Sequence, residues 1–164
     1  MTARIPRILA AIIAVATGCA VWFGLQASSL GSDGNAAMVD QAATAEVADQ
    51  VGAGVKAVFS YDYSNLARTE RAAADVLVGD ATGQYRDQFA SARKRAEEQK
   101  LVRTTTVRSL GVSSLRGDQA EILLFLDQQT LTTAGGAPQS SVAQLSVSAV
   151  RIDGRWKISR LTPL

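Results

Sequence analysis

The side chains able to move protons in this sequence are Tyr61, Tyr63, Tyr85, Asp75, Asp80 and Asp127. A tyrosine beside a carboxylate is a workable acid–base pair, but no two of these residues have a diagnostic spacing. The chain contains no His, which excludes Ser-His-Asp and Cys-His nucleophiles, His-ligated metals and His general bases. Cys19 is the only cysteine, so neither an internal disulfide nor a Cys zinc site staples the fold. Gly135-Gly136 and Gly52-x-Gly54 lack the strand–turn–helix context of a phosphate loop and read as local backbone devices. The remaining chemical signal is basic: Arg93-Lys94-Arg95, with Lys100 and Arg103 close behind. Glu97 and Glu98 dilute it, so a solvated helix face is expected, with anionic lipid or an acidic partner as the sharper reading. Basic and aromatic residues do not interleave as single-stranded nucleic acid requires, so no nucleic acid is expected. The expectation is a protein that is not an enzyme and uses no metal or cofactor. Its tyrosines should bury their rings with the hydroxyl at an edge, and its carboxylates should be surface or cap residues.

The elements that hold these residues begin with an apolar run. Residues 8–25 (ILAAIIAVATGCAVWFGL) carry no charge. As a helix they extend about 27 Å, close to the ~30 Å hydrocarbon core of a bilayer. Arg4 and Arg7 precede the run, and the next basic residue after it is Lys56. The positive-inside rule places the N-terminus in the cytoplasm and the remainder outside the plasma membrane. Ile8, Leu9, Ile12, Ile13, Val15, Val21 and Leu25 are the apolar anchor, and Trp22 and Phe23 fall at its outer end. Two alternatives compete with an uncleaved anchor: a cleaved secretory signal ending near Gln26–Ser29, and a lipid-modified Cys19 after Ala16-Thr17-Gly18. The organisation expected is a cytoplasmic stub (1–7), a membrane helix (8–27), a small polar linker (28–35) and an external domain (36–164). Of 17 Lys+Arg against 15 Asp+Glu, the excess is Arg4 and Arg7, so the net charge is a topology signal and the external domain is formally neutral.

In the external part, Asn35 is suited to cap a helix. Val39, Ala43, Val47, Val51 and Val55 then recur every four residues, followed by Val58 and Phe59. Such a stripe drifts slowly round a helix, as expected where the helix crosses a curved sheet. Gly52 and Gly54 weaken that helix or allow close packing. Ser60–Asn65 breaks the period, a second helix covers 66–78, and a third covers about 82–100 with Tyr85, Phe89, Ala92 and Ala96 on one face. Its other face offers i,i+4 pairs, Arg93–Glu97 and Lys94–Glu98, in the weaker base-first order.

Beyond Val102 the composition shifts to Thr, Val, Leu, Ile and Ser, and strands are expected at 103–113, 119–132, 140–152 and 156–161. Asp153-Gly154 marks a tight hairpin turn. Leu145, Val147 and Ala149 alternate with Gln144, Ser146 and Ser148. Ile122-Leu123-Leu124-Phe125-Leu126 is apolar on both faces, which predicts a central strand covered on both sides. Three helices followed by a four-stranded antiparallel meander is an α+β layout. Three helices do not easily wrap both sides of a sheet. A partner or ligand surface is therefore expected at Ile122, Leu123, Leu124, Phe125 and Leu126 with Leu145, Val147 and Trp156.

The chain resembles the Mce-associated membrane proteins of mycobacteria and their relatives. The likeness rests on Val58-Phe59-Ser60-Tyr61-Asp62-Tyr63, on Gln84-Tyr85 with Phe89, and on the terminal hairpin Val150–Ile158. Phe59, Tyr61, Tyr63, Tyr85 and Phe89 are the family-like positions. The hairpin also resembles the last strands of nuclear transport factor 2-like (NTF2-like) domains. The resemblance implies a cone, with helices lining the concave side of a curled sheet. It further implies a place beside an Mce-type lipid import system in an actinobacterial envelope. On these expectations the protein is a membrane accessory or assembly factor whose partners are Mce complex subunits or homologous accessory proteins. Whether the sheet meets a second copy or a different chain stays open. The alternative is a domain that carries a lipid or sterol in its cone.

Overall fold

The computed structural model describes residues 34–133 and 135–164, together with Trp22, and residues 36–164 form one compact unit. Among the described residues no helix is long and apolar enough to cross a membrane. The expected span at 8–27, with Arg4, Arg7 and Cys19, lies outside them apart from Trp22, which is helical and exposed.

A short 3-10 turn at Ala36–Met38 leads into helix α1, Gln41–Phe59. The cap is Asp40, not Asn35: its carboxylate accepts the Ala43 N–H at 2.9 Å and satisfies one of the free donors of the first turn. Val47, Val51, Val55 and Val58 are at most 1% exposed, whereas Val39, 84% exposed, precedes the helix and falls outside the stripe. Helix α2 covers Leu66–Val76 and α3 covers Asp80–Gln99. Lys100 adopts the left-handed conformation (φ 52°) after α3, its N–H bonding back to the Ala96 carbonyl. The chain therefore reverses at once from α3 into the sheet.

The sheet is an antiparallel meander in the order β1-β2-β3-β4-β5. Its strands are β1 (Tyr61–Asp62), β2 (Leu101–Arg116), β3 (Gln119–Thr132), β4 (Gln139–Ile152) and β5 (Arg155–Pro163). Four strands are those the sequence predicts. The fifth, β1, is two residues of the Ser60–Asn65 break that pair with Val102 and Arg103. Asp153 and Gly154 both have positive φ, as the tight β4–β5 turn demands. Register shifts at Val107/Ser109, Val112/Ser114 and Ser148/Ala149 bend the strands and curl the sheet.

The core lies between α1 and the concave face, where the valines of α1 meet Ile122, Leu124, Leu126, Val147, Ile158 and Leu161. Gly54 lets α1 approach α2 and β5: a Cβ there would stand 2.7 Å from Val76 Cγ1 and 3.6 Å from Ile158 Cδ1. The link from α2 to α3 is stitched to β5, where the Val78 N–H donates to the Ile158 carbonyl at 2.8 Å.

Among the described residues the apolar strand β3 is central but is covered on one side only. Ile122, Leu124 and Leu126 face the helices and are at most 2% exposed. Leu145, Val147 and Trp156 join them in the core, so these six residues are sealed by the chain's own helices and are not a partner or ligand surface. Only Leu123 and Phe125 project to the opposite face, Leu123 half-buried and Phe125 37% exposed. Alternation places half of any apolar strand run on each face. Among the described residues the helices fill one of them and leave the other bare.

Candidate functional site: an aromatic–arginine mouth and a bare sheet face

The motif Phe59–Tyr63 is held by two buried threonines. Thr105, fully buried in β2, donates through Oγ1 to the Phe59 carbonyl at 2.8 Å, and its N–H donates to Ser60 Oγ at 3.0 Å. Thr69 of α2 donates to the Ser60 carbonyl at 3.0 Å. These bonds satisfy the backbone where α1 ends and fix the direction in which Tyr61 leaves it. Asp62 accepts the Ser64 N–H and hydroxyl at 2.9 and 2.7 Å. Those bonds hold its carboxyl below the usual range.

Tyr61 is 7% exposed and meets Phe89 edge-on, with centroids 6.5 Å apart at 69°. Phe89 in turn stacks on Tyr85 at 4.8 Å and 16°. The spacing of Tyr85 and Phe89 on α3 predicts that they share a face, but only the tertiary fold brings Tyr61 to them. With Leu66, Ala96 and partly buried Tyr63 they form a second apolar cluster beside the main core. The Tyr85 hydroxyl is buried without a hydrogen-bond partner. Burial first, and the Glu70 carboxylate second, push its pKa far above the ordinary tyrosine value. The Tyr85 hydroxyl therefore does not rest at an edge.

Arg103 lies over the Tyr61 ring, with its guanidinium carbon 5.2 Å from the centroid, and its Nε donates to Thr130 Oγ1 at 3.0 Å. The reversal at Lys100 brings the end of α3 to the start of β2, so Arg95 and Arg103 line the same opening. Between them opens a polar mouth of about 530 Å³ lined also by Tyr61, Gln99, Thr130 and Gln139. A narrower, more apolar slot of about 310 Å³ adjoins it, lined by Val58, Phe59, Phe89, Ala92, Leu161 and Tyr85. Tyr61, Arg95 and Arg103 border both.

The basic cluster thus divides. Arg93 pairs with Glu70 of α2 and with Glu97 at 3.2 Å, and Lys94 reaches Glu98 at 4.0 Å. Arg95 turns to the mouth. The carboxylates considered for acid–base work are engaged elsewhere: Asp75 with Lys157 and Arg155, Asp80 with Arg160, and Asp127 with Arg108. Lys157 first, then Arg155, hold the Asp75 carboxyl below its usual range. Among the described residues no three His, Cys, Asp or Glu side chains are grouped to hold a metal.

On the opposite face of the sheet Leu123 and Phe125 lie beside Gly111, Ser109, Ser146 and Gln144. Val142 is 74% exposed next to the Arg108–Asp127 pair, whose N–O distance is 3.2 Å. Pairing of β5 with β4 stops at Leu145, and the Leu164 N–H still reaches the Gln144 carbonyl at 3.2 Å, so among the described residues the 139–143 stretch of β4 has a paired strand on one side only.

Fold and geometry together define a helix-backed, curled antiparallel sheet of the NTF2-like kind. No family model matches the chain. A protein of Mycobacterium tuberculosis strain H37Rv, named uncharacterized protein Rv1362c, is 29% identical over 164 residues, spanning 98% of this chain and 71% of its own length. The outer membrane protein Rv1973 of the same strain is 32% identical over 69 residues, 42% of each chain. Among solved structures, an IcmL-like type IV secretion system protein from Legionella pneumophila superposes with a TM-score of 0.61 at 10% identity, over 73% of this chain and 92% of its own. The periplasmic domain of DotI gives 0.61 at 12%, over 72% and 92%. CagV, a VirB8 homologue from Helicobacter pylori, gives 0.60 at 10%, over 73% and 96%. At such identities these likenesses establish the fold alone.

Proposed function

We propose that this chain is a single-pass membrane accessory protein whose external domain helps assemble an Mce-type lipid import complex in the cell envelope, with its N-terminus in the cytoplasm. The observation that carries the reading is the sheet face that bears Leu123, Phe125 and Val142, the last on the 139–143 stretch of β4, which among the described residues has a paired strand on one side only. Large apolar side chains next to a free strand edge suit protein contact through packing and strand addition. The likeness in fold to a periplasmic domain and to secretion-system proteins supports an envelope setting. The apolar run at 8–25, preceded by Arg4 and Arg7, supports the anchor. A lipid or sterol enclosed within the cone draws no support from the space beneath α1, which valine and isoleucine side chains fill.

The test is affinity purification of the tagged full chain from its own envelope, compared with a Phe125→Glu/Val142→Glu variant. Transporter subunits should accompany the parent chain and be lost from the variant, and their abundance should fall when the gene is deleted. Unchanged subunit levels on deletion, with no co-purification, would overturn the reading.

A further inference from the structure

The mouth between α3 and β2 is electrostatically one-sided. None of the ion pairs among the described residues includes Arg95 or Arg103, although most other arginines on the helices and strands have carboxylate partners. Arg95 makes only a long 3.4 Å bond to the Ser91 carbonyl. Arg103 is held in place by Thr130 and the Tyr61 ring, and the side chains lining the mouth include no Asp or Glu. Two guanidinium groups facing one cavity repel each other, and an oxyanion between them relieves that repulsion through paired N–H bonds. A fixed guanidinium loses little freedom on binding, which favours Arg103 as the primary contact.

The adjoining slot supplies the second half of the argument. It leads away from the same two arginines and is walled by Val58, Phe89, Ala92 and Leu161. Tyr85 lines it as well, with Gln88 and Ser91 adding polar groups. Mouth and slot each fall within the roughly 300–1,000 Å³ range of small-molecule sites. A bare anion would satisfy the mouth and leave the slot empty. A neutral apolar molecule would fill the slot and leave the arginines unpaired.

We infer that this cleft is a binding site for a small anionic amphiphile, an oxyanion head between Arg95 and Arg103 with an alkyl chain running into the slot past Phe89. The head chemistry is carboxylate or phosphate. The site lies on the side of the sheet opposite Leu123 and Phe125 and meets the proposed assembly edge only at Gln139, so its test does not depend on that reading.

The experiment is calorimetric titration of the full chain in phosphatidylcholine nanodiscs, with empty discs as the blank. The probes are octanoate, octyl phosphate, octanamide and acetate. Octanoate or octyl phosphate should bind saturably, and whichever is tighter identifies the head. Octanamide, which has the tail without the charge, and acetate, which has the charge without the tail, should each bind roughly tenfold more weakly or worse. Arg95→Gln alters an exposed side chain and leaves the core untouched, and it should weaken the charged amphiphile by about tenfold while leaving octanamide unchanged. Arg103→Gln should do the same or more, with Arg103→Lys intermediate because it keeps the charge and loses the fork. Equal binding of octanoate and octanamide, acetate as tight as octanoate, or no effect of Arg95→Gln would each overturn the inference.

Discussion

Replacing each of the two α1 glycines by alanine should move stability in opposite directions. Alanine in a helix interior is favoured over glycine by about 0.8–1 kcal/mol. At Gly52 the new Cβ would lie 3.4 Å from Leu110 Cδ1, the tip of a flexible side chain. The propensity gain should therefore survive nearly intact. At Gly54 the new Cβ would lie 2.7 Å from Val76 Cγ1. Valine is stiff at χ1 in a helix, so relief requires movement of α2 itself. Forcing a methyl into such a contact costs about 1–3 kcal/mol, which meets or exceeds the gain. Gly52→Ala and Gly54→Ala should thus differ by roughly 1–3 kcal/mol in urea unfolding, or roughly 3–10 °C in Tm for a unit of this size. The double variant Gly54→Ala/Val76→Ala isolates the contact. With the Val76 methyls gone, Gly54→Ala should become stabilising by about 1 kcal/mol, a coupling well beyond the ~0.3–0.5 kcal/mol seen between independent sites. Equal stabilisation by the two single substitutions, or additivity in the double variant, would refute the close approach of α1 and α2.

Asp40→Ala removes the α1 cap bond to the Ala43 N–H and should cost about 1 kcal/mol in denaturant unfolding. Asp75 has a folded pKa below its unfolded value, so its ties to Lys157 and Arg155 stabilise above about pH 4 and are lost as pH falls through the folded value. The stability gap between the parent and Asp75→Asn should therefore narrow as pH falls below about 4, and a gap that widens on acidification would contradict the assignment. Tyr85 has the opposite sign: its raised folded pKa makes stability fall as pH rises above the unfolded tyrosine value of about 10. Tyr85→Phe should flatten that alkaline loss, seen by circular dichroism melts from pH 8 to 11. At neutral pH it should leave stability unchanged or raise it, since the hydroxyl it removes has no partner.

The elements of residues 36–164 are legible because each carries a local signal. Four-residue valine spacing marks α1, the four–three–four steps of Tyr85, Phe89, Ala92 and Ala96 mark α3, and Asp153-Gly154 marks the last turn. Errors arose where a local signal had two solutions. Asn35 and Asp40 are both cap-type residues, and a 3-10 turn at Ala36–Met38 separates Asn35 from the start of α1, which leaves Asp40 as its cap. Tyr61–Asp62 has no strand periodicity at two residues, so β1 exists only because β2 lies beside it. The candidate site was half visible: Tyr61, Tyr85, Phe89 and the basic cluster stood out by type. Nothing in their spacing separates Arg95 from Arg93 and Lys94, because ion pairing with Glu70 depends on where α2 lies.

What the sequence by itself determined is the order of helices and strands, the alternation along β3 and β4, the α+β class and the absence of any histidine chemistry. All of these follow from short-range periodicity or from composition. What the tertiary structure decided is which half of an apolar strand is covered. The helices occupy the concave face, so Ile122, Leu124 and Leu126 are sealed while Leu123 and Phe125 remain outside. It also decided which arginines keep their charge unspent, since burial and ion pairing are set by neighbours far along the chain.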